Sequence, residues 1–283
     1  MPAQVTNTVK MFADDTKLYC KMTANHDGLQ DDIDALVRWS ETWLLPFNGA
    51  KCKTMHLGFH NPDRTYHLNG TAVATCEEER DLGIIIDRQL RFHKQTAAAV
   101  AKASQILAVI RRSFANLDEL TLPLLFKALV RPFLEFGNAI WGPFSKEDQK
   151  KLERVQRRAT RLITDLRDLP YPDRLRRLGL PSLHYRRRRG DMVTVYQLFH
   201  GLLDVPLESL LTRHEAQNTR GHQWKLRKPN AKHLSRRNAF SVRIINDWNA
   251  LPTDVVAAES LSSFKARLDR HWSSVMFDIP TLY

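Results

Sequence analysis

The sequence predicts an α+β protein whose strands lie in the first third of the chain and whose remainder is mainly helical. Up to about residue 90, short apolar runs of strand length alternate with turn dipeptides and one amphipathic stretch of helical period. Beyond residue 90 the apolar period becomes helical and largely stays so. Charge separates the same regions: residues 1 to 100 hold 11 Lys+Arg and 13 Asp+Glu, whereas residues 101 to 283 hold 32 and 18. The net charge of +12 is therefore entirely C-terminal, which points to an acidic partner for that part, nucleic acid first and an anionic membrane surface second.

A chain of 283 residues, 43% apolar and 26% charged, is long enough to bury a core and is neither disordered nor a peptide hormone. No apolar run approaches the ~18 residues of a membrane span. The first residues carry neither the basic flank nor the apolar stretch of a signal peptide. An intracellular protein, nuclear or cytoplasmic and not secreted, is the expectation. Cys20, Cys52 and Cys76 are too few and scattered for a disulfide framework and read as reduced thiols. The alternative for two of them is a zinc site with His56 and His60, which has the residue types but lacks the Cys-x-x-Cys spacing of structural zinc modules.

In chain order, Val9 to Phe12 and Leu18 to Met22 read as strands around Asp14-Asp15, which puts two carboxylates at the tip of a hairpin. Hard cations such as Mg2+ take oxygen ligands of this kind; an Asp-Asp turn that bonds only its own backbone is the alternative. Asp27 to Leu45 carries Leu29, Ile33, Leu36, Val37 and Trp43 at helical spacing, starting near Asn25 or Asp27 and ended by Pro46. Its acids Asp31, Asp32 and Asp34 read as a solvated face and helix-start charges. A strand over Lys51 to Leu57 follows, then a hairpin around Asn69-Gly70, then the buried-strand run Leu82 to Ile86.

Helices are expected over Thr96–Arg112, over Thr121–Phe136 with a kink or end at Pro132, and over Ser145–Leu166, where Ser145-x-x-Asp148 resembles a capping box. On the last of these, Lys150, Lys151, Arg154, Arg157, Arg158 and Arg161 fall within an arc of roughly 120° facing away from the apolar stripe. That array matches the regular negative charges of a phosphate backbone. Arg174-Leu175-Arg176-Arg177 and Arg186-Arg187-Arg188-Arg189 follow, of which Arg187 and Arg188 join the candidate nucleic-acid-binding residues. Residues 212 to 238 read as a linker or extended arm, and Ser262 to Trp272 as a closing helix.

The succession of these features resembles a known family. Phe12-Ala13-Asp14-Asp15-Thr16-Lys17-Leu18-Tyr19, Leu29-Gln30-x-Asp32-x-Asp34-x-Leu36, Phe47-Asn48-x-x-Lys51-Cys52-x-x-Met55-His56-x-Gly58 and Asp81-Leu82-Gly83 are similar to the second half of the reverse transcriptase of LINE-type, non-LTR retrotransposons, near the jockey and CR1 groups. Leu152-Glu153-x-Val155-Gln156-Arg157-Arg158-Ala159-Thr160 and Trp248-Asn249-x-Leu251-Pro252 resemble the region after the polymerase. The resemblance implies a partial polymerase palm over residues 1–90, a helical, thumb-like basic region over 91–203, and a basic arm with a short C-terminal helical region over 204–283. It implies that Asp14 and Asp15 belong to the metal-binding box and that Lys51 protonates the departing pyrophosphate, with Lys53 as the other possibility. Leu82 and Gly83 would lie in the primer grip. Mg2+, an RNA template and a DNA primer are the implied cofactor and partners.

Metal-assisted nucleotidyl transfer needs a further carboxylate, and residues 1 to 13 contain no Asp or Glu. The fingers and the first half of the palm are also without a counterpart. The expectation is a truncated RNA-directed DNA polymerase that does not polymerise by itself, taking dNTP only when complemented. A non-catalytic nucleic-acid-binding remnant and a helical interaction scaffold are the competing classes.

Overall fold

The computed structural model describes residues 5–22, 28–58, 61–214 and 221–279. They are mostly helical with small two-stranded sheets, broadly α+β, and the chain divides into two compact units, Met1–Leu90 and Arg91–Tyr283.

In the first unit, β1 (Thr8–Phe12) and β2 (Asp15–Tyr19) pair antiparallel, with Phe12 opposite Asp15. The two-residue turn is Ala13-Asp14, with Ala13 at φ 51°. Positive φ at the first central position is the turn geometry whose twist suits a hairpin. The helix α1 (Leu29–Thr42) begins after Gly28, which sits at φ 64°; the start expected near Asn25 or Asp27 lies outside the described residues. It ends before Pro46, and Ala35 and Leu36 supply its buried apolar side.

Short strands follow: β3 (Lys53–Thr54), β4 (His67–Leu68), β5 (Thr71–Ala72) and β6 (Ala74–Thr75), with β3 parallel to β6 and β4 antiparallel to β5. Asn69 and Gly70 are both at positive φ, which is the hairpin turn that Asn-Gly favours. The strand expected over Lys51–Leu57 is reduced to Lys53–Thr54, because its parallel partner pairs over two residues only. The last sheet is β7 (Glu78–Asp81) with β8 (Ile84–Asp87), turned at Leu82-Gly83. Leu82–Ile86 is therefore not one buried strand: Leu82 lies in the turn, 49% exposed, while Ile84 is buried.

The second unit begins with α2 (His93–Ser113). The segment expected as one helix with a break at Pro132 consists of α3 (Thr121–Leu125), a π-helical turn (Phe126–Val130) and α4 (Arg131–Glu135). Pro132 offers no N–H to the turn before it, and the wider π turn absorbs the lost hydrogen bond. Next come α5 (Asn138–Trp141) and α6 (Lys146–Thr160), where the Asp148 N–H donates to the Ser145 side chain as the capping box requires. The remaining helices are α7 (Tyr171–Leu178), α8 (Leu183–Phe199), α9 (Leu207–Leu210), α10 (Leu234–Asn238), α11 (Phe240–Asn249), α12 (Thr253–Val256) and α13 (Leu261–His271).

Helix α6 packs on α2, α7 and α8, and α8 in turn packs on α5, α11 and α13. Leu152, Val155 and Ala159 are completely buried on α6. Around α8 the core is aromatic: the Phe199 and Trp248 rings stack at 5.2 Å and those of Tyr196 and Phe264 at 4.4 Å. The stretch expected as an extended arm is, where described, laid on this core. Residues 215–220 lie outside the described residues. Arg213 bridges Leu226 antiparallel, and the Asn249 amide accepts from the Leu226 N–H at 2.9 Å and donates to its carbonyl at 2.8 Å. Leu226 is buried there. Among the described residues no helix is long and apolar enough to cross a membrane.

Candidate functional site

The acidic hairpin is held in place from two sides. Asp14 occupies its turn and Asp15 opens β2, both exposed. The chain leading into β1 is gripped by Asp32 of α1, a buried carboxylate. Its Oδ1 accepts from the Thr6 N–H at 2.8 Å and the Thr6 hydroxyl at 3.1 Å, and its Oδ2 from the Asn7 N–H at 2.9 Å and the Asn7 amide at 2.8 Å. Burial pushes this carboxyl up, but the four donors outweigh it and hold Asp32 below its ordinary value. Asp32 is thus no part of a solvated face. It is a clasp that charge pattern could not reveal, because a buried and an exposed Asp at a helix start look alike in sequence.

On the other side, Lys17 of β2 pairs with Asp81 of β7. Lys10 and Lys17 face each other across the hairpin, a destabilising like-charge pair that Asp81 offsets. Lys17 is two residues from Asp15, about 7 Å along a strand, and Asp81 adjoins Leu82. The Ala13-Asp14 turn and the Leu82-Gly83 turn are therefore tied together near their bases.

Of the two lysines the sequence left open, Lys53 is engaged with Glu79 at 2.5 Å. Lys51 sits exposed in a turn, its N–H donating to the Asn48 carbonyl at 3.0 Å. Among the described residues no group of three or more His, Cys, Asp or Glu side chains could hold a metal ion. Asp14 and Asp15 alone thus do not make a metal centre; a hard cation there needs oxygen ligands from elsewhere. Cys52, His56 and Cys76 are not grouped as zinc ligands either, and His60 lies outside the described residues. Burial pushes both of those thiols up, while His56 is buried against the Tyr66 ring.

The basic face of α6 borders an open trough of about 420 Å³ between α6 and α2, lined by Val100, Lys151, Arg154, Arg157, Arg158 and Arg161. The helix supplies these cations because its other side, with Leu152, Val155 and Ala159, is committed to the core. Arg158 donates to the Ser104 hydroxyl of α2 at 2.7 Å, and Arg157 lies 4.8 Å from the centre of the Tyr171 ring. Two acids of the first turn reach this face: Lys151 meets the buried Asp148 at 3.0 Å and Arg154 meets Glu147 at 3.5 Å. Asp148 also pairs with His93 at the start of α2. Lys150 precedes Lys151, half-exposed. Five of the six predicted cations thus line one trough.

Arg187 and Arg188 lie elsewhere. The four-arginine run is the ion-pair framework of α8: Arg186 binds Glu135, Arg188 binds both oxygens of Asp247 at 2.8 Å, and Arg189 binds Asp269. Arg187 is buried, and burial pulls its guanidinium down against the charges of Glu153, Glu135 and Asp191. Glu153, also buried, accepts from the Tyr171 hydroxyl at 2.7 Å and the Leu183 N–H at 3.1 Å. The neighbouring His184 is pulled down to about 4 by burial and by Arg187 and Arg188. Arg174, in the other cluster, is also buried, its Nε donating to Thr160 Oγ1 at 3.0 Å.

Over 165 residues the chain is 26% identical to the RNA-directed DNA polymerase from mobile element jockey of Drosophila melanogaster, covering 55% of this chain and 18% of that protein. It is 27% identical over 165 residues to the probable RNA-directed DNA polymerase from transposon X-element, and 27% over 164 residues to that from transposon BS, both of Drosophila melanogaster. Each of these covers 54% of this chain and 18% of the relative. The chain thus spans less than a fifth of the length of these curated relatives. No family model matches the chain, and no solved structure does.

Proposed function

We infer that this chain, a relative of the RNA-directed DNA polymerases of LINE-type, non-LTR retrotransposons, is a nucleic-acid-binding part of such a polymerase that does not transfer nucleotides in isolation. The observation that carries the reading is the α6 face. From Lys150 to Arg161 it extends about 16 Å at the rise of a helix, the length of about five phosphates at the spacing of one strand. An RNA template paired with a DNA primer is the proposed ligand, and the second unit is proposed as the thumb-like element that follows it.

In the same reading the first unit is the C-terminal half of a palm. Asp14 and Asp15 give carboxylate oxygens to Mg2+ only when further oxygens are brought by the substrate and by another carboxylate. Lys51, rather than the engaged Lys53, is the candidate proton donor to pyrophosphate, and Leu82-Gly83 the candidate contact for the primer end. The first unit needs complementation before it binds dNTP.

The test is binding of an RNA–DNA hybrid by the full chain across a salt series, followed by fluorescence anisotropy. Neutralising Arg154, Arg157 and Arg158 to Gln should make the plot of log K against log salt shallower by about 2 to 3, one contact per arginine. An unchanged slope would overturn the reading of the α6 face. Primer extension by the wild-type chain with Mg2+, lost in Asp14→Ala, would overturn the statement that it is non-catalytic alone.

A further inference from the structure

The outer side of the α3–α4 segment is apolar at every exposed position from residue 124 to 136: Leu124, Ala128, Leu129, Pro132, Phe133 and Phe136. Phe136 is 58% exposed, and Lys102 of α2 holds its ammonium 5.9 Å from the centre of the Phe133 ring. This surface and the α6 trough flank the same helix, since α2 packs on both α4 and α6. Val100 and Ser104 of α2 meet the α6 side, whereas Lys102 meets the α4 side. At 100° per residue, the crest between them carries Ala97, Ala101, Gln105 and Ala108, with the cations Lys94 and Arg112 towards its two ends, all exposed. α2 contains no Asp or Glu, so nothing on the crest repels an anion. The charge and the exposed rings together fit a ligand with both a polyanionic backbone and flat apolar faces.

We propose that Phe133 and Phe136 are a base-stacking platform for single-stranded nucleic acid whose phosphates lie in the α2–α6 trough and whose chain crosses α2 over its alanine crest. This rests on the nucleic-acid reading of the α6 face and extends it from the paired hybrid to the unpaired strand that continues beyond it. Stacking on an aromatic ring is available only to bases not already stacked in a duplex, and it is indifferent to sequence because every base has a π-face. Phosphate contacts set the salt dependence; stacking adds affinity without releasing counterions.

The test measures binding of a fluorescent 15-nucleotide oligouridylate and of a blunt 15-base-pair duplex by the full chain, each from 50 to 200 mM salt. Phe136→Ala and Phe133→Ala should each weaken single-strand binding by about fivefold to a hundredfold, with the salt slope and duplex affinity unchanged. Phe136→Trp should restore affinity and Phe136→Leu should not, which separates stacking from mere apolar contact; Phe136 is exposed, so folding is not at stake. Unchanged single-strand affinity in both Ala variants, or full affinity in the Leu variant, overturns the platform. So does concentration-dependent self-association of the wild type, measured by sedimentation and abolished by Phe136→Ala, because the face would then close a dimer. If Arg154→Gln with Arg158→Gln flattens the slope while the Phe variants change nothing, the platform alone fails. If those arginine changes leave the slope intact, the underlying reading fails.

Discussion

Asp32→Asn isolates the clasp that seats the acidic hairpin on α1. Asp32 is 1% exposed and accepts four hydrogen bonds from Thr6 and Asn7, two on each carboxylate oxygen. An amide keeps the shape but only one acceptor oxygen. Whichever way it is turned, its NH2 faces the backbone N–H of Thr6 or of Asn7, so at least that contact is lost and the other three no longer involve a charge. Hydrogen bonds to a charged group are worth about 1.5–3 kcal/mol each and neutral ones about 1, so one lost bond and three weakened ones put the loss at about 3 kcal/mol or more. At 1.4 kcal/mol per tenfold, the amides that pair β1 with β2 should exchange with solvent at least about a hundredfold faster. Hydrogen exchange read by mass spectrometry on peptides covering residues 6–19 measures this, with peptides from α6 and α8 as the internal control.

The pH dependence gives a second readout of the same contact. The folded carboxyl lies below its reference of 3.8, so its stabilisation is fully present above that pH and is lost as pH falls through the lower folded value. The asparagine variant has no such group, and the gap between the two proteins should close in acid. Protection of residues 6–19 that matches wild type within twofold at neutral pH would refute the clasp.

Three further outcomes follow from the described contacts. His184 is proton-free in the fold down to about pH 4, against a reference of 6.5, so stability is full above 6.5 and falls between 6.5 and 4 by up to about 1.4 kcal/mol per pH unit. Urea denaturation of His184→Gln should lack that slope, and retention of it would count against the burial described here. Leu82→Asn should strengthen the β7–β8 hairpin by about 1 kcal/mol, because Leu82 holds φ 44°, a conformation that costs an L-residue about 1–2 kcal/mol and that Asn tolerates; slower amide exchange in residues 78–87 is the readout. Arg187→Met removes a buried guanidinium whose Nη1 and Nη2 have no hydrogen-bond partner among the described residues, so stability in urea should stay near wild type or rise by about 1–4 kcal/mol, while the salt slope of nucleic-acid binding by the folded protein stays at the wild-type value.

The sequence was informative wherever a property repeats locally. The 3.6-residue period of Leu152, Val155 and Ala159 marks one side of α6 for the core and thereby assigns the opposite side to its cations. The Asn69-Gly70 pair dictates its turn through the backbone alone. The acidic hairpin follows from two flanking apolar runs of strand length, although its second strand spans Asp15–Tyr19 rather than Leu18–Met22, which leaves Asp14 alone of the two acids in the turn. Each of these depends on neighbours within a few residues, which a sequence displays directly.

What the sequence misplaced depends on partners far along the chain. The run Arg186 to Arg189 looks like a basic patch until Glu135, Asp247 and Asp269 are brought to it from 51, 59 and 80 residues away. Asp32 looks like a helix-start charge until Thr6 and Asn7, about 26 residues upstream, present four donors to it. Residues 212 to 238 look like an arm because their polarity is visible and the side chain of Asn249, which fastens Leu226, is not adjacent. Local composition determined the two regions, the α6 face and the acidic turn. Only the tertiary structure decided which charges stay in solvent, because a charge is neutralised by whatever the fold packs against it, and that choice is made between segments remote in sequence.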